Sequence, residues 1–529
     1  MTLTATQFRV VLALLLTVGL FALTANGLTP HWETNDDIAM SMIAHGYGIA
    51  EKGSPNILFS NVLWGYFVRE LPEIGGHWGY STAMFAALFI AGFALTLGLL
   101  HLEVELITCG VILAIIFLRP TIFPQFTITA GLLMVSALVS LKIYERSKGG
   151  MILLATGILA YLSFLIRSQE FILVLIVALP LFPLRRFIGD MQFRVFLTAF
   201  LAFTVLSVAF DYAAYEQPQW QAFTRLNYLR ALITDFGAHN YLLKKSDLLI
   251  ANGLSENDIY LLKNWFFEDT DVADPEKLGR LLSGYSPARS DATPSNIHQS
   301  IMALFSPGLL PILLAAALLA MLDSGHRVLT CWLLFFLAIV TMGVLGRPGV
   351  TRVYVPLVSL LLLAPFLVPN KNKKIPMIWI ARCRAGILTL VCMVNFLVIH
   401  TEYKSFHQDS ELVSGHFSNF PKSPVVVWGE KFPYTFIYPV LGKSQIGTDF
   451  QLYGLGVTAL SPISVAFRER KEERGMLQKL AGDQGILLMA DEKQIELLAV
   501  YCKEHLKKQI NQLSLTGFGS FNVRRLRCE

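Results

Sequence analysis

The sequence predicts a mainly α, polytopic membrane protein: a helical bundle of about eleven spans followed by a small α/β domain on the extracytoplasmic side. Three observations carry this. Hydrophobic residues make up 54% of the chain and charged residues only 15%. Apolar runs of about span length recur through the first 400 residues, as a hydrocarbon core of roughly 30 Å requires. Basic residues collect in alternate loops, which fixes one orientation.

The first apolar run covers residues 8–28. It is flanked by Arg9 and has no Ala-x-Ala cleavage site, so it reads as a retained span and not as a removed signal peptide. Further runs cover residues 80–100, 106–118, 126–141, 151–166, 171–184, 193–210, 304–322, 328–345, 353–368 and 385–400. Several fall short of the ~20 residues of a full span, so neighbours can merge. With the N-terminus cytoplasmic, the loops carrying Lys142, Arg146 and Lys148, then Arg185 and Arg186, then Lys371, Lys373, Lys374, Arg382 and Arg384 all fall inside. A transmembrane domain of residues 1–400 and an extracytoplasmic domain of residues 401–529 follow, with the loops 29–79 and 211–303 on the tail's side.

The loop after the first span opens with HWETNDD, holding Glu33, Asp36 and Asp37. Carboxylates at the mouth of a membrane bundle must be paired, hydrated or functional, which makes this corner the leading candidate site. Thr34 and Asp37 have the spacing of a capping box for a helix running through Ile38, Met42 and Ile43. Residues 57–71 suit a second helix lying along the membrane surface. A plainer role for Asp36 and Asp37 is to complement a helix dipole in its first turn.

Arg119, Arg167, Arg347 and Arg352 lie at extracytoplasmic span ends, where basic residues are under-used. An anion at that depth accounts for them, because the planar, permanently charged guanidinium suits phosphate. Their structural alternatives are a pair between Arg167 and Glu170, or snorkelling to headgroups.

The loop 211–303 carries amphipathic stretches at 220–233 and 259–267, and Ser255 to Asp258 reads as a helix start. Arg225, Arg230, His239 and His298 are its candidate acceptor contacts, against the commoner role of a solvated face. In the tail, residues 424–428 and 486–490 read as buried strands and 492–508 as an amphipathic helix. The tail holds no glycine loop for a nucleotide. Cys502 and Cys528 are the one cysteine pair placed in an oxidising compartment. A disulfide is open to them, but Cys502 sits on the helix's apolar face and a buried thiol is slightly favoured.

A first span, an acidic pair in the following extracytoplasmic loop, interfacial helices, many further spans and a soluble tail together resemble the GT-C superfamily of integral membrane glycosyltransferases. Protein mannosyltransferases and lipid A aminoarabinose transferases are the types most similar. The resemblance implies a polyprenyl-phosphate-linked sugar as donor, with Asp36 or Asp37 matching the family's catalytic acidic residue. It implies donor binding by Glu33, Arg119, Arg167, Arg347 and Arg352, and an acceptor that is a glycan, lipid or protein of the cell envelope. No WWD-type signature of the oligosaccharyltransferases occurs in the tail. No cofactor is required, although a divalent cation is compatible with phosphate chemistry and its ligands are unknown. The net charge of +5 is spread over short loops and points to no nucleic acid. The expected location is the plasma (inner) membrane, multi-pass, with the active face extracytoplasmic. Two rivals stand: a polymerase or ligase of lipid-linked glycans, which would place its key residues in the later loop, and a transporter of an envelope precursor, which would show internal repeats or broken spans.

Overall fold

The computed structural model describes residues 4–289, 292–322, 325–369, 377–444 and 447–529. The chain opens with α1 (Ala5–Gly27), followed by α2 (Asn35–His45), α3 (Val62–Glu70) and α4 (Gly79–His101). Next come α5 (Leu106–Ile122), α6 (Phe126–Ser147), α7 (Gly150–Ile166) and α8 (Ser168–Ala178). Each apolar run of the sequence is largely helical, although the run 304–322 is broken at Ser306 to Leu309. Among the described residues, six helices are long and apolar enough to cross a membrane, or seven if the bent pair 293–305 and 310–322 is one span. Four shorter apolar helices accompany them: Leu106–Ile122, Gly150–Ile166, Ser168–Leu181 and Thr351–Leu367. The chain is a multi-pass α-helical membrane protein.

Helix α6 is the axis of the bundle, packed on α4, α7, α8 and Thr351–Leu367. Its contact with the last of these is close because position 131 is glycine: a Cβ there would collide with the ring of Pro356. Helices α1 and Met191–Tyr215 lie at the periphery, with only 17% and 6% of their apolar windows buried, as lipid-facing helices should.

The tail begins on a 40-residue helix, Met377–His416, that leaves the bundle without a break. A five-stranded sheet follows in the order β2 (Leu452–Leu455), β1 (Val425–Trp428), β3 (Ile486–Met489), β5 (Phe521–Cys528) and β4 (Ile510–Phe518). The first three are parallel, while β5 runs antiparallel to β3 and forms a hairpin with β4. All four residues of β1 are buried, which is why VVVW reads as a continuous apolar run. Helix Glu492–His505 packs on this sheet, and Cys502 is disulfide-bonded to Cys528 of β5. That overturns the buried-thiol expectation: the apolar face of this helix rests on the strand that ends in the second cysteine.

Both extramembranous loops dock on the tail. Gly48 accepts from Leu452 N at 3.0 Å and Ile49 from Val465 N at 3.0 Å, so the first loop is stitched to the edge of the sheet. Glu268 pairs with Arg470 at 2.8 Å, and Tyr501 donates to Asp269 at 2.6 Å. The three soluble regions therefore share one side of the bundle. The loops carrying Lys142, Arg146, Lys148, Arg185 and Arg186 lie at the other, where Lys148 pairs with Asp190 at 2.7 Å. Lys371, Lys373 and Lys374 fall outside the described residues.

Candidate functional site

Helix α2 starts where the sequence places it, but Thr34 does not close a capping box. Its side chain makes no cap bond, and its hydroxyl donates to Asp37 Oδ2 at 3.1 Å. Successive residues of a helix point about 100° apart, and this separates the two aspartates. Asp37 turns inward and is fully buried. Its Oδ1 accepts from Tyr80 Oη at 2.9 Å and from the backbone N–H of Phe126, the first residue of α6, at 3.0 Å. Asp37 therefore caps the N-terminus of α6 and not its own helix. Burial pushes its carboxyl up to about 8, outweighing these donors.

Asp36 turns outward into a polar chamber of about 490 Å³. Around it stand Glu33, Arg167, Arg230, Asp235, Trp265, Arg347, Arg352 and Glu430. Asp36 pairs with Arg352 Nη1 at 3.2 Å, and Arg347 pairs with Asp235 at 2.9 Å while lying over the Phe236 ring. The turn that presents Arg347 needs glycine at 346, where φ is +80° and a Cβ would press on the Phe236 carbonyl.

Arg167 occupies the break between α7 and α8. It donates to the Phe59 carbonyl at 3.0 Å and lies over the Phe126 ring. Among the described residues no carboxylate pairs with it, and the buried Oε1 of Glu170 has no partner. Arg230 stacks on Trp265 at 4.8 Å, and its buried Nε and Nη1 have no partners. Burial lowers Arg230 to about 10. Two guanidinium groups thus face the chamber without ion pairs, an arrangement costly to keep unless an anion enters.

Arg119 is placed differently. Its guanidinium is held between Glu33, at 2.8 Å, and Glu402, at 2.5 Å, outside the chamber wall. Burial holds the Glu33 carboxyl above the usual range despite this cation. Glu33, Arg119 and Arg352 also line a second cavity of about 650 Å³ whose remaining walls are chiefly apolar, among them Ile128, Leu309, Val355, Leu397 and Val398. Glu33 and Arg352 stand where it meets the chamber.

Of the loop candidates only Arg230 reaches the chamber. Arg225 and His298 are exposed, and buried His239 bonds the Ile233 carbonyl. Residues not singled out by sequence also line it: Asp235, Trp265 and Glu430. Nothing in their local pattern marks them, since each is brought in from a distant element. Among the described residues, one grouping of three His, Cys, Asp or Glu side chains has metal-ligand proximity: Asp258, Glu504 and His505, at the contact of the large loop with the tail.

No family model matches the chain, and no curated protein matches it. The structure is similar to the crystal structure of ArnT from Cupriavidus metallidurans in the apo state, at 12% identity and a TM-score of 0.42, over 99% of this chain and 98% of that one. It is similar also to ArnT from Cupriavidus metallidurans bound to undecaprenyl phosphate, at 12% identity, the same coverage and a TM-score of 0.35. With both TM-scores below 0.5, what the site does is a question for its own residues.

Proposed function

We propose that the chain is a membrane glycosyltransferase that moves a sugar from a polyprenyl-phosphate carrier to an acceptor hydroxyl on the extracytoplasmic face. One observation carries the reading: a chamber in which Asp36 and three further carboxylates stand among four arginines meets an apolar cavity at Glu33 and Arg352. An isoprenoid chain fits the apolar cavity, its phosphate falls at the junction and its sugar enters the chamber.

The phosphodiester anion of the donor competes for Arg352, which frees Asp36, while Arg167 and Arg347 add charge-assisted hydrogen bonds. The acceptor oxygen attacks the anomeric carbon as Asp36 takes its proton. The bond from that carbon to the phosphate oxygen breaks, and the electron pair leaves with the carrier phosphate, where the arginines hold the developing charge. A single displacement of this kind inverts the anomeric configuration. Arg119, already held by two carboxylates, positions Glu33 in place of binding phosphate. Glu33 and Asp36 are the residues that would hold a divalent cation, which would add to the neutralisation of the phosphate charge that the arginines supply.

On this reading residues 1–400 form the transferase bundle of about eleven segments in the plasma membrane, residues 401–529 the outer domain, and the family is GT-C. The test is transfer in vitro from radiolabelled polyprenyl-phosphate sugars to envelope extract. Asp36→Asn is expected to insert and fold normally yet lose about 10² to 10⁴ fold in turnover. Full turnover in that variant removes the base assignment.

A further inference from the structure

A third cavity, of about 350 Å³, adjoins the chamber on the side away from the apolar one. Asn35, Asp36, Phe59, Trp265, Glu430 and Val457 line both, so Asp36 faces each. The walls of this cleft come only from the first loop, from Asn264 and Trp265 of the large loop, and from the tail. None of the bundle's spans contributes a residue. A lipid chain would have no apolar helix to lie against there.

Lys431, Asn264 and Gln494 of the cleft are engaged by Asp491, the Tyr260 carbonyl and the Asp491 backbone N–H respectively, but other polar groups there are unspent. Among the described residues, the side chains of Asn35, Glu430 and Thr458 and the hydroxyl of Tyr434 have no hydrogen-bond or ion-pair partner. Trp265 is held at φ +70°, a backbone conformation a bulky residue rarely adopts, and its ring lies between this cleft and Arg230. Gly429 and Gly456 leave open space where a side chain would project. Amide, hydroxyl and carboxylate groups arranged beside the flat rings of Trp265 and Tyr434 suit a ligand with hydroxyls at its edge and C–H groups on its face.

We infer that this cleft is the acceptor subsite and that it takes a saccharide unit, bound from the aqueous side between the first loop and the tail. The inference rests on the transferase reading, since it is Asp36 that gives the cleft its meaning. A sugar ring lying on Trp265 would present a hydroxyl to Asp36 from the side opposite the carrier phosphate, as single displacement demands. A lipid's glycan headgroup and a free glycan share this chemistry, and the absence of a span in the walls favours the free glycan.

The test uses the full protein in nanodiscs of phosphatidylcholine. Saturation transfer from protein aromatic protons to the ring protons of chitotriose and of maltotriose is read by NMR, and undecaprenyl phosphate binding is read on the same samples by native mass spectrometry. Transfer to at least one trisaccharide is expected. It should weaken at least about tenfold in Gly456→Trp, whose side chain fills the cleft, and severalfold in Tyr434→Phe, which removes one hydroxyl and preserves shape. Undecaprenyl phosphate should bind all three proteins alike. No transfer to either trisaccharide or to octyl glucoside, or transfer in both variants equal to the parent's, overturns the saccharide subsite while carrier binding leaves the transferase reading standing. Loss of carrier binding in the unaltered protein sinks that reading instead. Transfer seen with octyl glucoside in nanodiscs but with neither free trisaccharide assigns the cleft to a lipid headgroup and overturns delivery from the aqueous side.

Discussion

Asp36 and Asp37 are neighbours in sequence with opposite surroundings. Asp37 is buried against Tyr80, Thr34 and the first N–H of α6, so its substitution should register in stability and not in turnover. Its carboxyl is raised by burial to about 8, whereas in the unfolded chain it titrates in the ordinary aspartate range. The folded state therefore binds the proton more tightly. The stability it contributes is complete below about pH 4 and is lost as pH rises through about 8. Asp37→Asn cannot ionise and still offers an acceptor to Tyr80 and Phe126 and a donor to Thr34. Thermal unfolding of this variant is expected to match the parent near pH 4 and to exceed it by a few degrees at pH 8; a parallel pH profile would count against the assignment. Sequence could not divide the pair, because both residues stand in one first turn and the choice depends on how α2 is rotated against α4 and α6.

Breaks between elements place most of the chamber's cations. Arg167 lies in the break between α7 and α8, and Arg347 and Arg352 flank the turn between two further helices. These breaks were legible: residues 166 and 171 already bound separate apolar runs, and GRPGVTR is rich in turn formers. The run 304–322 was not read correctly. It holds a sharp turn at Ser306, Pro307 and Gly308, and the helices on either side meet at 83°. Ser306 to Leu309 then form a wall of the apolar cavity. A continuous hydropathy window hides such a corner even though Ser-Pro-Gly is a turn signal. If the breaks exist to present phosphate ligands, Arg167→Ala, Arg347→Ala and Arg352→Ala should each weaken undecaprenyl phosphate binding by about 1.5 to 3 kcal/mol. Arg185→Ala, on the opposite side of the bundle, should bind as the parent does. Calorimetry on the four variants checks this, and equal affinities would dispose of the phosphate site.

At the scale of the molecule, three soluble regions far apart in sequence close over one end of the bundle. That these regions share one end was legible from charge, since it needs only a count of Lys and Arg in alternate loops. The sheet order was not, because β2 and the β4–β5 hairpin are short or exposed and their neighbours are fixed by tertiary contact. A reporter fused after Glu529 should register outside the cytoplasm, and a cytoplasmic signal would mean a miscounted span. On the expected topology Cys502 and Cys528, which are disulfide-bonded, lie where such a bond persists. Thiol labelling of the denatured, unreduced protein should therefore modify four cysteines, namely Cys109, Cys331, Cys383 and Cys392, and six only after reduction. Replacing either tail cysteine by serine should cost the outer domain about 2 to 4 kcal/mol, seen as a lower melting temperature.

The unbroken helix Met377–His416 has a mechanical consequence. Glu402 on it touches Arg119 of the bundle, and Ser410, two turns later, bonds the Phe436 carbonyl of the tail at 3.2 Å. Between those fixings the helix acts as a threaded shaft: each added residue advances the tail by about 1.5 Å and turns it by about 100°. One residue inserted after Tyr403 would leave bundle and sheet each intact but aim the tail away from the first loop, and disulfide trapping between Ala50→Cys and Ser464→Cys, which face each other across an antiparallel bridge, should then fail. Four inserted residues nearly restore the heading and should recover part of the trapping. The cleft between loop and tail is thus kept in alignment with the chamber by the pitch of one screw.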